Sequence, residues 1–355
     1  MIILKGIVKL LLLAVIGGYV FSLIHIPIPW MLGPIFSIIT AQFFYKGTLS
    51  WSPRLQNIGI VIVGIAIGEQ FNLSLFRSAG ILLLYMILLN IILIASSITL
   101  AFLLSKWSKL SLKSMILGTI PGGLGQILLF AEEEKDVDLA AITYFQIVRL
   151  LLVIVVIPFI VSGHIVSKST ANISMSYSLV LLFILSCGFA YVAKCFKMPI
   201  AYFLAPILLI IGLQFTPFDL APVPPLVMNG AQLLIGAHIG LMLKPHMIKL
   251  PFRYLVAGIL SSVGLIAITY GTSFIISYTL DFSFATSFLS TAPGGLDQMV
   301  LLADAIHADI STVSVFQLFR LLFIFLFVMP ALKYYYMFTA KKQALELDQD
   351  IITKS

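Results

Sequence analysis

The sequence predicts an all-α membrane protein: ten transmembrane helices as two inverted five-span repeats, each with a glycine-broken re-entrant or discontinuous helix. Three observations lead there. Of 355 residues, 61% are hydrophobic and 10% charged, with a mean hydropathy of +1.12, too little polar surface to cover a water-soluble globule. Thr119-Ile120-Pro121-Gly122-Gly123-Leu124-Gly125-Gln126 returns 172 positions later as Thr291-Ala292-Pro293-Gly294-Gly295-Leu296-Asp297-Gln298. Lys and Arg, finally, gather on one face of a ten-span count.

Apolar runs near the roughly 20 residues that cross about 30 Å of hydrocarbon fall at about 6–25, 29–45, 55–70, 79–104 and 139–162, then at about 176–193, 199–215, 226–243, 253–279 and 310–336. The first follows Lys5 and Lys9 and reaches Ile26 without a small-residue cleavage site, so it reads as a span and not a leader. Pro27-Ile28-Pro29-Trp30-Met31-Leu32-Gly33-Pro34-Ile35 of the second run aligns with Pro199-Ile200-Ala201-Tyr202-Phe203-Leu204-Ala205-Pro206-Ile207 at the same offset of 172. In the third run Asn57, Gly64 and Gly68 match Asn229, Gly236 and Gly240. The two glycine pairs are spaced for close helix packing in lipid.

The segments at about 114–131 and 285–303 hold the doubled motif. Proline lacks a donor and paired glycines carry an entropic penalty, so the helix must break at Pro121-Gly122-Gly123 and Pro293-Gly294-Gly295. If both segments turn back, every Lys and Arg shares one face except Arg77, Lys168 and the two arginines inside spans, Arg149 and Arg320. If both cross, Lys135, Lys194, Lys197, Lys244, Lys249 and Arg253 move to the other face. The positive-inside bias favours turning back. Five spans per repeat is odd, so residues 1–168 form the first repeat, residues 169–340 a second, inverted one, and residues 341–355 a cytoplasmic tail.

Broken backbone at membrane depth is tolerated where protein or a water-filled cavity satisfies it. Helix tips beginning near Leu124 and Leu296 would present free N–H groups to such a cavity, which suits an anion. Arg149 and Arg320 lie mid-span, where a guanidinium costs roughly 2.5–3.5 kcal/mol on insertion scales, so they should face inward. Thr143, Gln146 and Arg149, like Ser314, Gln317 and Arg320, recur at spacings of three and form one polar stripe each. Each Arg either contacts substrate or ties the carbonyl end of the broken helix to its neighbour. The candidate binding set is therefore Pro121, Gly122, Gly123, Gly125, Gln126, Thr143, Gln146 and Arg149, with Pro293, Gly294, Gly295, Asp297, Gln298, Ser314, Gln317 and Arg320. Asp297 replaces Gly125 and is either a coupling group for protons or sodium or the internal partner of Arg320. Glu132 to Asp136, Asp304 and Asp309 read as solvated edges, Glu69 as interfacial and His238 as a core histidine.

The doubled Pro-Gly-Gly-Leu-x-Gln motif, with Phe145-Gln146-Ile147-Val148-Arg149-Leu150 and Phe316-Gln317-Leu318-Phe319-Arg320-Leu321 after it and the spaced prolines before it, resembles the AbrB-type integral membrane protein family over about residues 8–335. The resemblance implies a bacterial inner-membrane protein, multi-pass with cytoplasmic termini, of a kind labelled a regulator of gene expression or an ammonia monooxygenase. The architecture is also similar to glutamate/sodium and citrate/sodium symporters and cation/proton antiporter-like carriers, whose repeats carry a Gly-Gly-x-Gly re-entrant loop. Gly122-Gly123-Leu124-Gly125 fits that pattern and Gly294-Gly295-Leu296-Asp297 departs from it.

The expected function is secondary transport of a small anionic solute by alternating access, with proton or sodium coupling. The alternative is a membrane-embedded regulator acting on gene expression indirectly. A monooxygenase needs clustered metal ligands, and His25, His164, His238, His246 and His307 are scattered, while Cys187 and Cys195 share one apolar stretch. No nucleophile elbow, zinc spacing or phosphate loop is present, so no enzyme activity, metal or cofactor is expected. The formal charge of +7 orients the spans and implies no direct nucleic-acid partner. The expected partners are the lipid bilayer and a small-molecule or ion substrate, with homo-oligomerisation left open.

Overall fold

The computed structural model describes residues 2–44, 51–70, 79–134, 136–161, 177–196, 198, 200–216, 220, 222–336 and 338. The expected tail at 341–355, the repeat boundary at 168–169, Pro199, His164 and the charges Lys46, Arg77, Lys135, Lys168 and Lys197 lie outside the described residues. Within them the chain is helical, without a strand: α1 (Ile2–Leu23), α2 (Pro29–Phe44), α3 (Pro53–Gln70), α4 (Ala79–Ser108), α5 (Leu112–Thr119), α6 (Leu124–Glu133) and α7 (Leu139–Val161). The second half follows as α8 (Tyr177–Cys195), α9 (Ala201–Leu213), α10 (Pro225–Met242), a 3₁₀ turn Pro245–Lys249, α11 (Phe252–Leu280), α12 (Phe284–Thr291), α13 (Leu296–Ala305) and α14 (Ile310–Phe323). A π-helical stretch, Ile324–Val328, continues α14.

Among the described residues, seven helices are long and apolar enough to cross a bilayer: those within α1, α4, α7, α8, α10 and α11, and Ile310–Tyr336. The chain is thus a multi-pass membrane protein. The other three apolar runs form α2, α3 and α9, which are shorter or carry more polar residues.

Both doubled segments break where the prolines dictate. The residue before proline is pushed out of helical geometry, and Ile120 (ψ 124°) and Ala292 (ψ 135°) end α5 and α12 in extended form. Gly123 and Gly295 then cap α6 and α13 without a side-chain bond. Each half-helix has 8 or 10 residues, about 12–15 Å at 1.5 Å per residue, half the thickness of the hydrocarbon. Their entries are built alike: Ser111 accepts the Ser114 N–H and Ser283 the Thr286 N–H. Ser114 and Thr286 in turn accept the N–H groups of Asp138 and Asp309, stitching each half-helix to the start of α7 or α14.

Packing sorts the helices into two lobes, each drawn from both halves of the sequence. α1, α2, α3, α8, α9 and α10 pack on one another, and so do α4–α7 with α11–α14. The repeat boundary is therefore not a packing boundary. In the first lobe, α3 lies on α9 and α10 on α2, and the glycine pairs sit at those crossings. A Cβ on Gly64 would come within 2.9 Å of the Phe203 carbonyl oxygen and one on Gly68 within 2.6 Å of Ile210 Cβ. On Gly236 it would lie 2.5 Å from the Met31 carbonyl oxygen and on Gly240 3.0 Å from that of Ile35. Met31 and Ile35 are the repeat counterparts of Phe203 and Ile207, so one interlock is made twice, across the halves. Ile28 and Ile200 enter α2 and α9 at φ 48° and 46°, a left-handed conformation that strains a β-branched residue.

Gly236→Ala should lower the melting temperature in detergent, at a cost of about 1–3 kcal/mol for overpacking against backbone. Gly212→Ala, whose Cβ would meet nothing within 4 Å, should be neutral or slightly stabilising.

Candidate functional site

A helix that stops inside the membrane leaves carbonyl groups without donors. Two side chains one turn apart answer that need in each repeat. Gln146 Nε2 donates to the carbonyls of Leu117 (2.7 Å) and Ile120 (3.0 Å), and Arg149 Nη1 donates to Ile120 (3.0 Å) and Thr119 (3.5 Å). Arg149 Nη2 donates to Gln146 Oε1 at 2.7 Å, which locks the pair. In the second repeat Gln317 Nε2 donates to Leu289 (2.6 Å) and Ala292 (3.2 Å), and Arg320 Nη1 to Thr291 (3.4 Å) and Ala292. Arg320 Nη2 reaches further, to the Gly294 carbonyl at 2.8 Å, and also donates to Gln317 Oε1. A guanidinium at the negative end of a helix dipole is favourable, and five fixed donors suit a cluster of carbonyls. The clamp expected of Arg149 and Arg320 is therefore made in both repeats.

With their carbonyl ends held, the breaks present the N-termini of α6 and α13 to one cavity of about 190 Å³. Its wall includes Gly122, Gly123 and Leu124 of one break and Pro293 to Gln298 of the other. Gln146 and Arg149 line it from α7, and the first lobe contributes Ile60, Ile200, Phe203 and Met242. The glycines of both breaks have negative φ, so space and not backbone conformation is what they supply. A Cβ on Gly294 would strike Met299 (2.7 Å) and Val153 (2.9 Å), and one on Gly295 would overlap the Gln298 amide.

Of the candidate set, Gly122, Gly123, Gln146, Arg149, Pro293, Gly294, Gly295, Asp297 and Gln298 reach the cavity wall. Pro121, Gly125, Gln126, Thr143, Ser314, Gln317 and Arg320 are not on it. The Thr143 hydroxyl donates to Leu139 O of its own helix at 2.6 Å. Ser314 is buried with its Oγ unpartnered. Arg320 instead lines a crevice of about 20 Å³ with Asn90, Ser290 and Thr291, room for about one water. Asn90 Oδ1 and Ser290 Oγ have no partner and suit such a guest.

Asp297 does not pair with Arg320, whose donors go to carbonyls and Gln317. It stands in the first turn of α13 instead. Asp304 and Asp309, expected at solvated edges, and Glu69, expected to be interfacial, all accept hydrogen bonds. Asp309 caps α14 by accepting from Ser311 (3.0 Å) and Thr312 (3.2 Å), Asp304 accepts from Gln70 at 3.4 Å, and Glu69 accepts the Val223 N–H at 3.3 Å.

Ile200 and Phe203 belong to a duplicated block and could have been nominated from it. Ile60 and Met242 carry no sequence signal, since only the packing of α3 and α10 brings them to the wall.

The family described as "Transition state regulatory protein AbrB" matches residues 30–336. The chain is 27% identical over 353 residues to "Uncharacterized protein YhjN" of Bacillus subtilis (strain 168), covering 88% of this chain and 89% of that protein. It is 24% identical over 314 residues to "Putative regulator AbrB" of Escherichia coli (strain K12), covering 86% and 89%.

Arg320→Met should destabilise the protein by at least about 2 kcal/mol, as it strands buried carbonyls, and by more than Arg149→Met, which frees no carbonyl equivalent to that of Gly294. Detergent melting of both variants measures the difference.

Proposed function

Since the chain belongs to the AbrB family, we propose that it is a secondary transporter of a small anionic solute, working by alternating access across a bacterial plasma membrane. The observation that carries the reading is the convergence of both broken helices, with Arg149, on one cavity. The free N-terminus of α6 and a guanidinium are an anion's natural surroundings. The space amounts to about six waters at roughly 30 Å³ each, which suits a compact organic acid. In this reading the chain is not an enzyme and takes no cofactor. The lipid bilayer and the solute are its partners, and the other candidate residues support the site from behind.

The reading includes ten spans in two inverted repeats with both termini cytoplasmic, and polar contacts between helix ends support it. Gln42 at the end of α2 donates to Gly240 O at the end of α10 (2.8 Å), and Gln214 after α9 donates to Gly68 O at the end of α3 (2.9 Å). Tyr144 near the start of α7 reaches Leu255 O near the start of α11, and Lys333 pairs with Glu133 at the end of α6 (3.0 Å). Each contact joins ends that the ten-span count puts on the same face. The first two and the last join opposite faces if the broken segments cross.

Alternating access requires matched repeats in unmatched environments, and the two tips are so arranged. Leu301 in α13 is 1% exposed while its counterpart Leu129 in α6 is 66% exposed. α13 buries residues along its whole length and α6 buries Ile127 and Ala131. In the carrier reading the packed α13 side is closed and the exposed α6 side open, and the reverse state would exchange them.

Reconstituted in liposomes, the protein should take up one of a panel of organic acids, and Arg149→Ala should slow that uptake at least about tenfold, the worth of one charge-assisted contact. Absence of flux under every ion gradient would sink the reading. Leu129→Cys should react with an impermeant maleimide and Leu301→Cys should not, with the pattern reversing during turnover. Equal reaction in all conditions would count against alternation. The regulatory names of relatives fit a carrier that changes gene expression through the solute it moves, in which case Arg149→Ala removes the regulatory effect too. A regulatory phenotype that survives Arg149→Ala and Arg320→Ala would favour a sensor instead.

A further inference from the structure

The two tips share a cavity but not a chemistry. At the first, position 125 is glycine, exposed, with nothing within 4 Å of where a Cβ would stand, and the Nε of buried Arg149 nearby has no partner. At the second, Asp297 puts a half-buried carboxylate on the cavity wall. No ion pair reaches it: among the described residues the ion pairs are Lys113 with Glu134 and Lys333 with Glu133, and both arginines of the clamps are engaged elsewhere. Beside it Gln298, 5% exposed and on the same wall, holds an amide oxygen without a hydrogen-bond partner.

A carboxylate and an orphaned amide oxygen in a membrane cavity, neither with a counter-ion, are an acceptor set waiting for positive charge. We propose that Asp297 and the Gln298 amide oxygen bind a monovalent cation, sodium or a proton, that crosses the membrane with the anion held at the opposite tip. The inference rests on the carrier reading and names its coupling site. A divalent ion is disfavoured because it draws on several acidic oxygens, and no group of three His, Cys, Asp or Glu side chains that could hold a metal ion occurs among the described residues.

The charged groups on elements packed against α13 are few. α7 brings Arg149 and α14 brings Arg320 behind its capping Asp309. α3 brings Arg54 and Glu69 at its two ends, and α13 itself carries Asp304. Of these, Arg149 alone lines the cavity with Asp297, so a response assigned to Asp297 can be separated from the others by substitution.

The test uses the detergent-purified full chain without any organic anion. Its melting temperature is followed against sodium, with choline as replacement, at alkaline pH, and against pH in sodium-free buffer. The wild type should be stabilised by sodium, by acidification or by both, which identifies the ion. Asp297→Asn, nearly isosteric, should fold and lose that response, with half-saturation displaced at least about tenfold. In the double variant Asp297→Gly with Gly125→Asp, where the new carboxylate meets open space, a cation response should return. A wild type indifferent to both sodium and pH, or an Asp297→Asn protein that responds like the wild type, would overturn the proposal. Uptake of an organic acid without any cation response would leave the carrier reading standing and remove this site. A cation response without solute flux would keep the site and remove the carrier reading.

Discussion

The structure depends on satisfying carbonyl groups where a helix ends inside hydrocarbon. Four orphan acceptors at each helix end cannot turn to water where they are buried, so a chain that breaks two helices in its interior needs donors at fixed places. The Gln146–Arg149 and Gln317–Arg320 pairs supply them one turn apart on α7 and α14. Arginine suits the position because it stays charged and offers five donors. Glutamine adds two donors, and its own oxygen accepts from the arginine, so neither side chain can swing away without stranding the other.

This arrangement turns each break into a directional object. The carbonyl end is held by protein and the N–H end is left free for the cavity. The glycines at the breaks keep that end narrow, since a Cβ on Gly294 would meet Met299 and Val153. The rest of the wall comes from Ile147, Leu150 and Leu321 of the same lobe and from Ile60, Ile200, Phe203 and Met242 of the other, whose helices are locked by glycine crossings made once in each direction between the halves. The cavity lies between two lobes, with its polar groups all on one of them and its apolar wall drawn from both.

The departures from symmetry are as informative as the symmetry. Identical motifs place Leu129 and Leu301 at equal positions, yet one is open and the other packed. Glycine at 125 and aspartate at 297 make one tip electropositive and give the other a carboxylate of its own. Two copies of one motif provide two matched tips, and the exchange of Gly125 for Asp297 sets them apart.

Much of this was legible in the residues. Hydropathy announced a membrane protein, Pro-Gly-Gly announced two breaks, and arginines at mid-span announced inward-facing partners, because each is a local demand of the backbone or of the lipid. The sequence by itself determined where helices start and stop, since proline geometry, serine caps and apolar length act within a few residues. Tertiary structure alone decided that Asp297 stands apart from Arg320 and that Ile60 and Met242 close the cavity. Those outcomes turn on the distances and directions between distant helices, and a one-dimensional pattern holds no record of them until packing brings the helices together.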